Sequence, residues 1–392
     1  MRVVIVGGGF GGVKAALELV KDKKVSVTLV TDKDHFLFYP ALYSTATGRS
    51  WQQSVLPLSE IFKNDRIKVV RDSVVGLDTV RRFVVTTQGQ VHYDRVIFAL
   101  GVVTSYFGIA GLDTYSFSIK SATEIERFKK HLHDELTSQQ RLDKNYIIVG
   151  AGPTGVELAA SLTGYLRRIG KRHMVKNSRI RLSLVEAAPR VLPRMSERSS
   201  ALITKQLKKV GVTVMTGKKV ESEDDDSIII SGTDIPSKTV VWTSGVANHP
   251  FFAEHSDIFK LAPNGRVEVD SHLRVDKHIY VIGDNANTPY TGLAQTAIHD
   301  AHFVAKAIRA DVRNQPLPEY RPRKQPVVVP VGENWALFEY GPLRFSGWLG
   351  SLVLRAAHLM GYLDFFPATT AARIWLSSDE HDEACFVCKY RF

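Results

Sequence analysis

The chain has 392 residues, 44% of them hydrophobic and 23% charged, the make-up of a globular protein with room for two or three domains. That excludes a disordered chain, a collagen-like repeat and a disulfide-dense miniature scaffold, because Cys385 and Cys388 alone cannot staple such a length. With 51 basic and 40 acidic side chains the net charge is +11, which favours nucleic acid, anionic lipid or an anionic cofactor as partner.

Met1-Arg2 run straight into a buried-strand pattern, so no signal peptide is expected. No stretch of about 18 residues lacks charge, so a spanning helix is not expected either. Val3 to Val6 form a short β-branched run suited to a parallel strand covered on both faces. Gly7-Gly8-Gly9-Phe10-Gly11-Gly12 follow, then a helical stretch from Val13 to Val20 and a second apolar run from Val25 to Val30. In this strand–turn–helix–strand frame Gly7, Gly9 and Gly12 spell G-x-G-x-x-G. The first glycine turns the chain, the second admits a pyrophosphate, and the third lets helix pack on strand. The ribose-binding acid should end the second strand. Thr31 stands there and Asp32 comes one residue late.

Arg95 to Gly101 read as a strand ending in a small-x-Gly turn, Ala99-Leu100-Gly101. Tyr146 to Val149 lead into a second glycine motif, Gly150, Gly152 and Gly155, followed by a helix from Val156 to Leu162. The next strand, Arg181 to Val185, ends in Glu186, whose carboxylate can accept from both hydroxyls of an adenosine ribose and would repel a 2′-phosphate. NADH is therefore expected over NADPH, with Arg190 slightly weakening the exclusion. Two nucleotide units imply two cofactors that exchange electrons; the alternative is a duplicated domain with one dead site. Between Leu166 and Arg181 lie seven basic residues and no acid, and Arg321-Pro322-Arg323-Lys324 form a second basic cluster. Neither interleaves with aromatics, so nucleic acid is not an expected partner. Solvated basic faces and attraction to an anionic membrane surface both remain as readings. Glu221 to Asp226 read as a solvated acidic turn. Ile279 to Asp284 form a strand ending in Gly-Asp; that carboxylate suits a flavin ribityl chain, or else it caps the helix that follows.

These runs predict an α/β fold of two Rossmann-like dinucleotide-binding domains. Residues 1–112 and 246–325 form the FAD-binding domain and 113–245 the NADH-binding domain. Residues 326–392 form a C-terminal amphipathic segment for membrane docking or dimerisation. From Gly347 to Phe366, Trp348, Leu349, Leu352, Leu359, Met360, Leu363 and Phe366 fall on one helical face. Arg355, His358 and Asp364 argue for lying in an interface rather than crossing it. Trp348, Tyr362 and Trp375 suit the headgroup boundary, with Arg344 and Arg373 as basic anchors. The alternative is a helix packed on the body or on a second subunit, as in a homodimer.

The chain resembles the type II NADH:quinone oxidoreductases, single-chain flavoenzymes that do not pump protons. The resemblance runs over nearly the whole length. It is carried by GGGFGG at 7–12, HFLFYPALY at 35–43, Ala99-Leu100-Gly101, TSYFG at 104–108, GAGPTGVELA at 150–159, WTSGV at 242–246, VIGD at 281–284 and LAQTA at 293–297. It implies that Gly7, Gly9, Gly12 and Asp284 bind FAD and that Gly150, Gly152, Gly155 and Glu186 bind NADH. Phe10, Asp32, Ala99, Gly101, Gly245, Ala294 and Gln295 complete the expected cofactor-binding set. It further implies a catalytic group of Glu157, Gln295 and His299 near a membrane quinone, and attachment to the cytoplasmic face of the cell membrane. The family often has a second Gln where this chain has His299. Residues 31–60 hold no cysteine, unlike related disulfide reductases. Cys385-Phe386-Val387-Cys388 could join His381, but a zinc site would need more ligands, so no metal is expected. The rival readings are a soluble flavin-dependent NADH diaphorase and a slowly turning redox-sensing flavoprotein.

Overall fold

The computed structural model describes residues 1–63, 65–138, 145–172 and 180–380. Cys385, Cys388, His381, Lys176 and Arg179 lie outside the described residues. The first parallel sheet runs in the order Ile279–Val281, Arg95–Phe98, Arg2–Val6, Ser26–Thr31, Ile67–Arg71. Val3, Ile5 and Leu29 are wholly buried, as a strand covered on both faces requires. The first Rossmann helix, Phe10–Leu19, packs against the long helix Ala294–Val312. It begins at Phe10, earlier than the expected Val13, because glycines 11 and 12 are themselves helical.

The second parallel sheet runs Val212–Thr216, Arg181–Glu186, Asn145–Val149, Thr239–Trp242. The second Rossmann helix, Pro153–Arg172, covers it with an inward stripe that includes Val156, Leu162 and Ile169. Each sheet carries an antiparallel three-stranded meander, Val74–His92 in the first and Val220–Pro236 in the second. The chain passes between the two sheets along Val102–Thr104 and Val246–Asn248, which pair antiparallel.

Two expectations fail within these elements. The acidic turn is not wholly solvated: Glu223 ends a strand, is buried, and burial pushes its carboxyl up to about 8. The helix expected to reach Phe366 spans Trp348–Leu363, preceded by a three-stranded antiparallel sheet, Val327–Gly347, and followed by a helix, Ala368–Ser377. Its expected single face is also divided. Trp348, Leu349, Leu352, Met360 and Leu363 are exposed, whereas Phe366 joins the core of the first domain and Leu359 packs on it. Tyr362 is not at a boundary at all. It is fully buried, its ring centroid is 4.4 Å from that of Phe38, and its hydroxyl donates to the Gln53 carbonyl at 2.8 Å. Trp375 is half-buried, donating to the Arg355 carbonyl. Arg344 is drawn onto Glu339, while Arg373 stays largely exposed.

Candidate functional site: two nucleotide loops and a cleft

The two glycine loops share one construction. Gly7 N donates to the Val30 carbonyl at 2.9 Å and Gly150 N to the Val185 carbonyl at 2.8 Å. Both glycines have positive φ, +111° and +104°, which L side chains rarely adopt. A Cβ on Gly12 would collide with the Gly7 carbonyl oxygen, and one on Gly155 with that of Gly150. By contrast, Gly9 and Gly152 have open space where a Cβ would stand. The first and third glycines are thus demanded by packing within the protein. The second is not, which is what a loop leaving room for a pyrophosphate requires. The first Rossmann helix has no side-chain cap at Gly9 and no acid in its first turn, so its leading N–H groups are free for an anion.

Around the first loop, Ala99 N donates to the Val6 carbonyl, and the Ala99 carbonyl lies close against Gly7. Gly101 is held from both sides by Asn285, which accepts its N–H at 2.9 Å and donates to its carbonyl at 2.6 Å. Asn285, fully buried, was not singled out in the sequence; its position directly after Gly-Asp was the available signal. Asp284 does not cap the following helix, whose N-cap is Leu293. Its carboxylate accepts from Gly292 N at 3.0 Å, and burial pushes its carboxyl up, opposed by Arg266. Asp300 stands behind, accepting from Gly283 N and from the Tyr320 hydroxyl. Ala294 and Gln295 open the neighbouring helix, Gln295 exposed. Phe10 is buried, edge-on to Phe36 and Phe365.

The strand ends differ between the loops. Glu186 reaches back to its own loop, accepting from Ala151 N at 2.7 Å and Ala188 N at 2.8 Å. Thr31 takes the matching place in the first domain and is buried against Gly8; Asp32 is exposed beyond it, within electrostatic reach of Tyr39 and His249. Arg190 is fully engaged, donating to the carbonyls of Met195 and Pro193 and to Ser200 Oγ. Gly245 sits at the crossing, with φ +73° and no room for a Cβ beside Ser105 and Phe107.

Glu157 lies half-buried near the start of the second Rossmann helix, and burial pushes its carboxyl well above the usual range. Tyr43, on a short helix packed against that one, is near enough to feel its charge. His299 is elsewhere engaged. Its Nε2 lies 3.0 Å from the Arg321 carbonyl, so that nitrogen carries the proton, and its ring packs against Tyr320.

Two phosphate-ready loops on separate parallel sheets, with a half-buried carboxylate just past the end of a strand of the first, define a two-nucleotide flavoprotein reductase. The comparisons agree. Residues 1–301 match the family described as pyridine nucleotide-disulphide oxidoreductase. A type II NADH:quinone oxidoreductase, Ndh, of Mycobacterium tuberculosis is 31% identical, over 92% of this chain and 85% of that protein. A protein of the same description from Staphylococcus saprophyticus is 25% identical over 81% and 84%. The fold matches that of NDH2 from Plasmodium falciparum, solved in complex with NADH, with a TM-score of 0.87 at 18% identity, covering 96% of this chain and 97% of that one. The chain belongs to the pyridine nucleotide-disulphide oxidoreductase family and, within it, to the type II NADH:quinone oxidoreductases. It is an NADH-dependent flavin oxidoreductase.

Proposed function

We propose that this protein oxidises NADH and passes the electron pair through FAD to a membrane quinone, without moving protons across the membrane. The observation that carries this reading is the paired loop geometry, with Gly9 and Gly152 open and the other motif glycines closed. FAD is assigned to residues 1–112 and 246–325, NADH to 113–245, and docking to 326–392. Bound FAD supplies the two-electron relay between nicotinamide and quinone. The chain supplies orientation. Gly7, Gly9 and Gly12 with the free N–H groups of the first helix hold the FAD pyrophosphate, and Asp284 accepts from its sugar-alcohol chain. Gly150, Gly152 and Gly155 hold the NADH pyrophosphate. Glu186 accepts from the adenosine ribose hydroxyls, and Arg190 is committed to Pro193, Met195 and Ser200 rather than to a 2′-phosphate. Glu157 holds a proton for the quinone, with Gln295 orienting it.

The missing cysteines near the first loop argue against a disulfide acceptor. Attachment to a membrane surface, assigned to the cytoplasmic face by the resemblance alone, is supported by the C-terminal helix. Trp348, Leu352 and Met360 are 66%, 52% and 68% exposed, and with Leu349, Ala356 and Leu363 they make an outward stripe without charge. Such a stripe suits the headgroup boundary. No helix among the described residues is long and apolar enough to cross a membrane. The test is an anaerobic absorbance spectrum of the purified protein. A flavin band that bleaches with NADH and returns on adding ubiquinone-1 supports the reading. A colourless protein that refuses FAD, or a reduced flavin that ubiquinone-1 leaves reduced, defeats it.

A further inference from the structure

A polar side chain that reaches the edge of an apolar core without a partner in the protein is free to meet a ligand. Three such side chains lie close together. The Tyr43 hydroxyl, the Glu157 carboxyl and the His358 imidazole are each half-buried. Among the described residues none has a side-chain hydrogen-bond partner. They come from three separate elements: the short helix Leu42–Ala46, the second Rossmann helix and the C-terminal helix Trp348–Leu363.

The elements are pressed together. The Leu42–Ala46 helix packs on the second Rossmann helix, and Tyr43 lies within electrostatic range of both Glu157 and Tyr362. Tyr362 and His358, one helical turn apart, both meet the ring of Phe38, at 4.4 Å and 6.0 Å between centroids. A Cβ on Gly361 would come within 2.8 Å of that same ring, so the helix backbone itself closes on Phe38. Phe38 in turn lies 5.7 Å from Phe10 of the first glycine loop. A packed aromatic core of Phe10, Phe38 and Tyr362 therefore links the nucleotide loop to the helix that carries the exposed apolar stripe.

The chemistry of the three tips is one-sided. Burial raises the Glu157 carboxyl and the Tyr43 phenol. Burial, with Arg355 adding to it, pushes His358 down to about 4. Near neutral pH Tyr43 and His358 are uncharged, burial favours the protonated form of Glu157, and in these forms each can donate a hydrogen bond. Other charged groups facing them are spoken for. Arg49, which faces Tyr43, donates to the Asp379 carbonyl, and Arg355 is held by both Asp379 oxygens at 3.1 Å and 2.9 Å. A set of neutral donors in an apolar wall suits a ligand whose polar atoms are acceptors only and which carries no charge. A quinone headgroup, two carbonyl oxygens on an apolar ring, is such a ligand.

We propose that Tyr43 and His358, together with Glu157, are the hydrogen-bond donors that orient the quinone headgroup, and that His299 is not among them. This rests on the quinone reading above and names the groups that serve it. His299 spends its N–H on the Arg321 carbonyl and its ring on Tyr320, so it anchors the segment after the long helix.

The test uses the purified flavin-loaded enzyme with ubiquinone-1 and the variants Tyr43→Phe, His358→Leu, His358→Gln and His299→Ala. Two readouts are taken: KM for ubiquinone-1 in turnover, and the midpoint of flavin-fluorescence quenching when ubiquinone-1 is titrated into oxidised enzyme without NADH. Tyr43→Phe and His358→Leu should each raise both by about tenfold, the loss of one hydrogen bond to a ligand. Their rate of flavin bleaching by NADH should be unchanged. His358→Gln keeps an N–H and should stay within about threefold of wild type; His299→Ala should match wild type. Wild-type behaviour of Tyr43→Phe and His358→Leu overturns the proposal, as does a response in only one of them, or a His299→Ala effect as large as theirs. A wild-type enzyme whose reduced flavin ubiquinone-1 does not reoxidise fails earlier, and takes the quinone reading with it.

Discussion

Glu157 is the fifth residue of the second Rossmann helix and Glu186 the last residue of a strand in the same domain, yet their surroundings give them opposite work. Glu186 accepts two backbone N–H bonds, from Ala151 and Ala188, which fix its carboxylate at the strand end and leave lone pairs to accept from a ribose diol. Glu186→Ala should therefore weaken NADH and narrow the NADH-over-NADPH ratio of kcat/KM by at least about tenfold, the worth of one to two charged hydrogen bonds. An unchanged ratio would remove the ribose role. Among the described residues Glu157 has no such bonds, and burial favours its protonated form. Its protonated form is the useful one, so quinone-dependent flavin reoxidation should fall as pH rises through its elevated pKa. Glu157→Gln should slow that half-reaction by about a hundredfold, the usual contribution of a positioned acid, and flatten its pH dependence. Flavin bleaching by NADH should stay within about twofold. Equal losses in both half-reactions would refute the assignment.

At the scale of elements, what could be read from sequence was local. G-x-G-x-x-G needs only its own loop and the next helix, so Gly7–Gly12 and Gly150–Gly155 were legible as sites. Asn285, Tyr43 and His358 were not, because each matters through segments far away in sequence: Gly101 for Asn285, and Glu157 and Phe38 for the other two. The Trp348–Leu363 helix misled for a different reason. It is apolar both outward, at Leu352 and Met360, and inward, at Leu359 and Tyr362, so periodicity alone cannot say which side meets the core. The helix is fixed by Lys14. This buried lysine, on the first Rossmann helix, donates to both the carbonyl and the carboxylate of Asp364 at 2.9 Å and lies 3.7 Å from Glu18. Next to it, Phe365 packs on Phe10 and Phe36. Lys14→Met should cost about 2 kcal/mol, below the usual loss for a broken buried pair because Asp364 keeps some contact with water. It should also speed proteolysis after Gly347 and lower the flavin content of purified protein. Normal flavin content with normal protease resistance would show that the clamp couples nothing.

On the scale of the whole molecule, the exposed stripe and the donor His358 belong to opposite sides of one helix. Leu352 and Met360 face out, while His358 and Tyr362 face the ring of Phe38. A quinone leaving lipid beside the stripe then has one helix thickness, about 10 Å, between the bilayer boundary and the proposed donors. This arrangement separates attachment from chemistry, and the separation can be measured. Leu352→Glu with Met360→Glu places two carboxylates on the stripe without touching a core contact, so the fold and the flavin should be kept. The double variant should stop sedimenting with vesicles of mixed neutral and anionic phospholipid, yet reduce ubiquinone-1 in solution at close to the wild-type rate. With a long-chain quinone held in those vesicles, turnover should fall at least about tenfold, because two charges each costing on the order of 2 kcal/mol now oppose docking. If the variant still sediments with the vesicles, the stripe is not the membrane contact. If it loses soluble activity as well, attachment and chemistry are not separable.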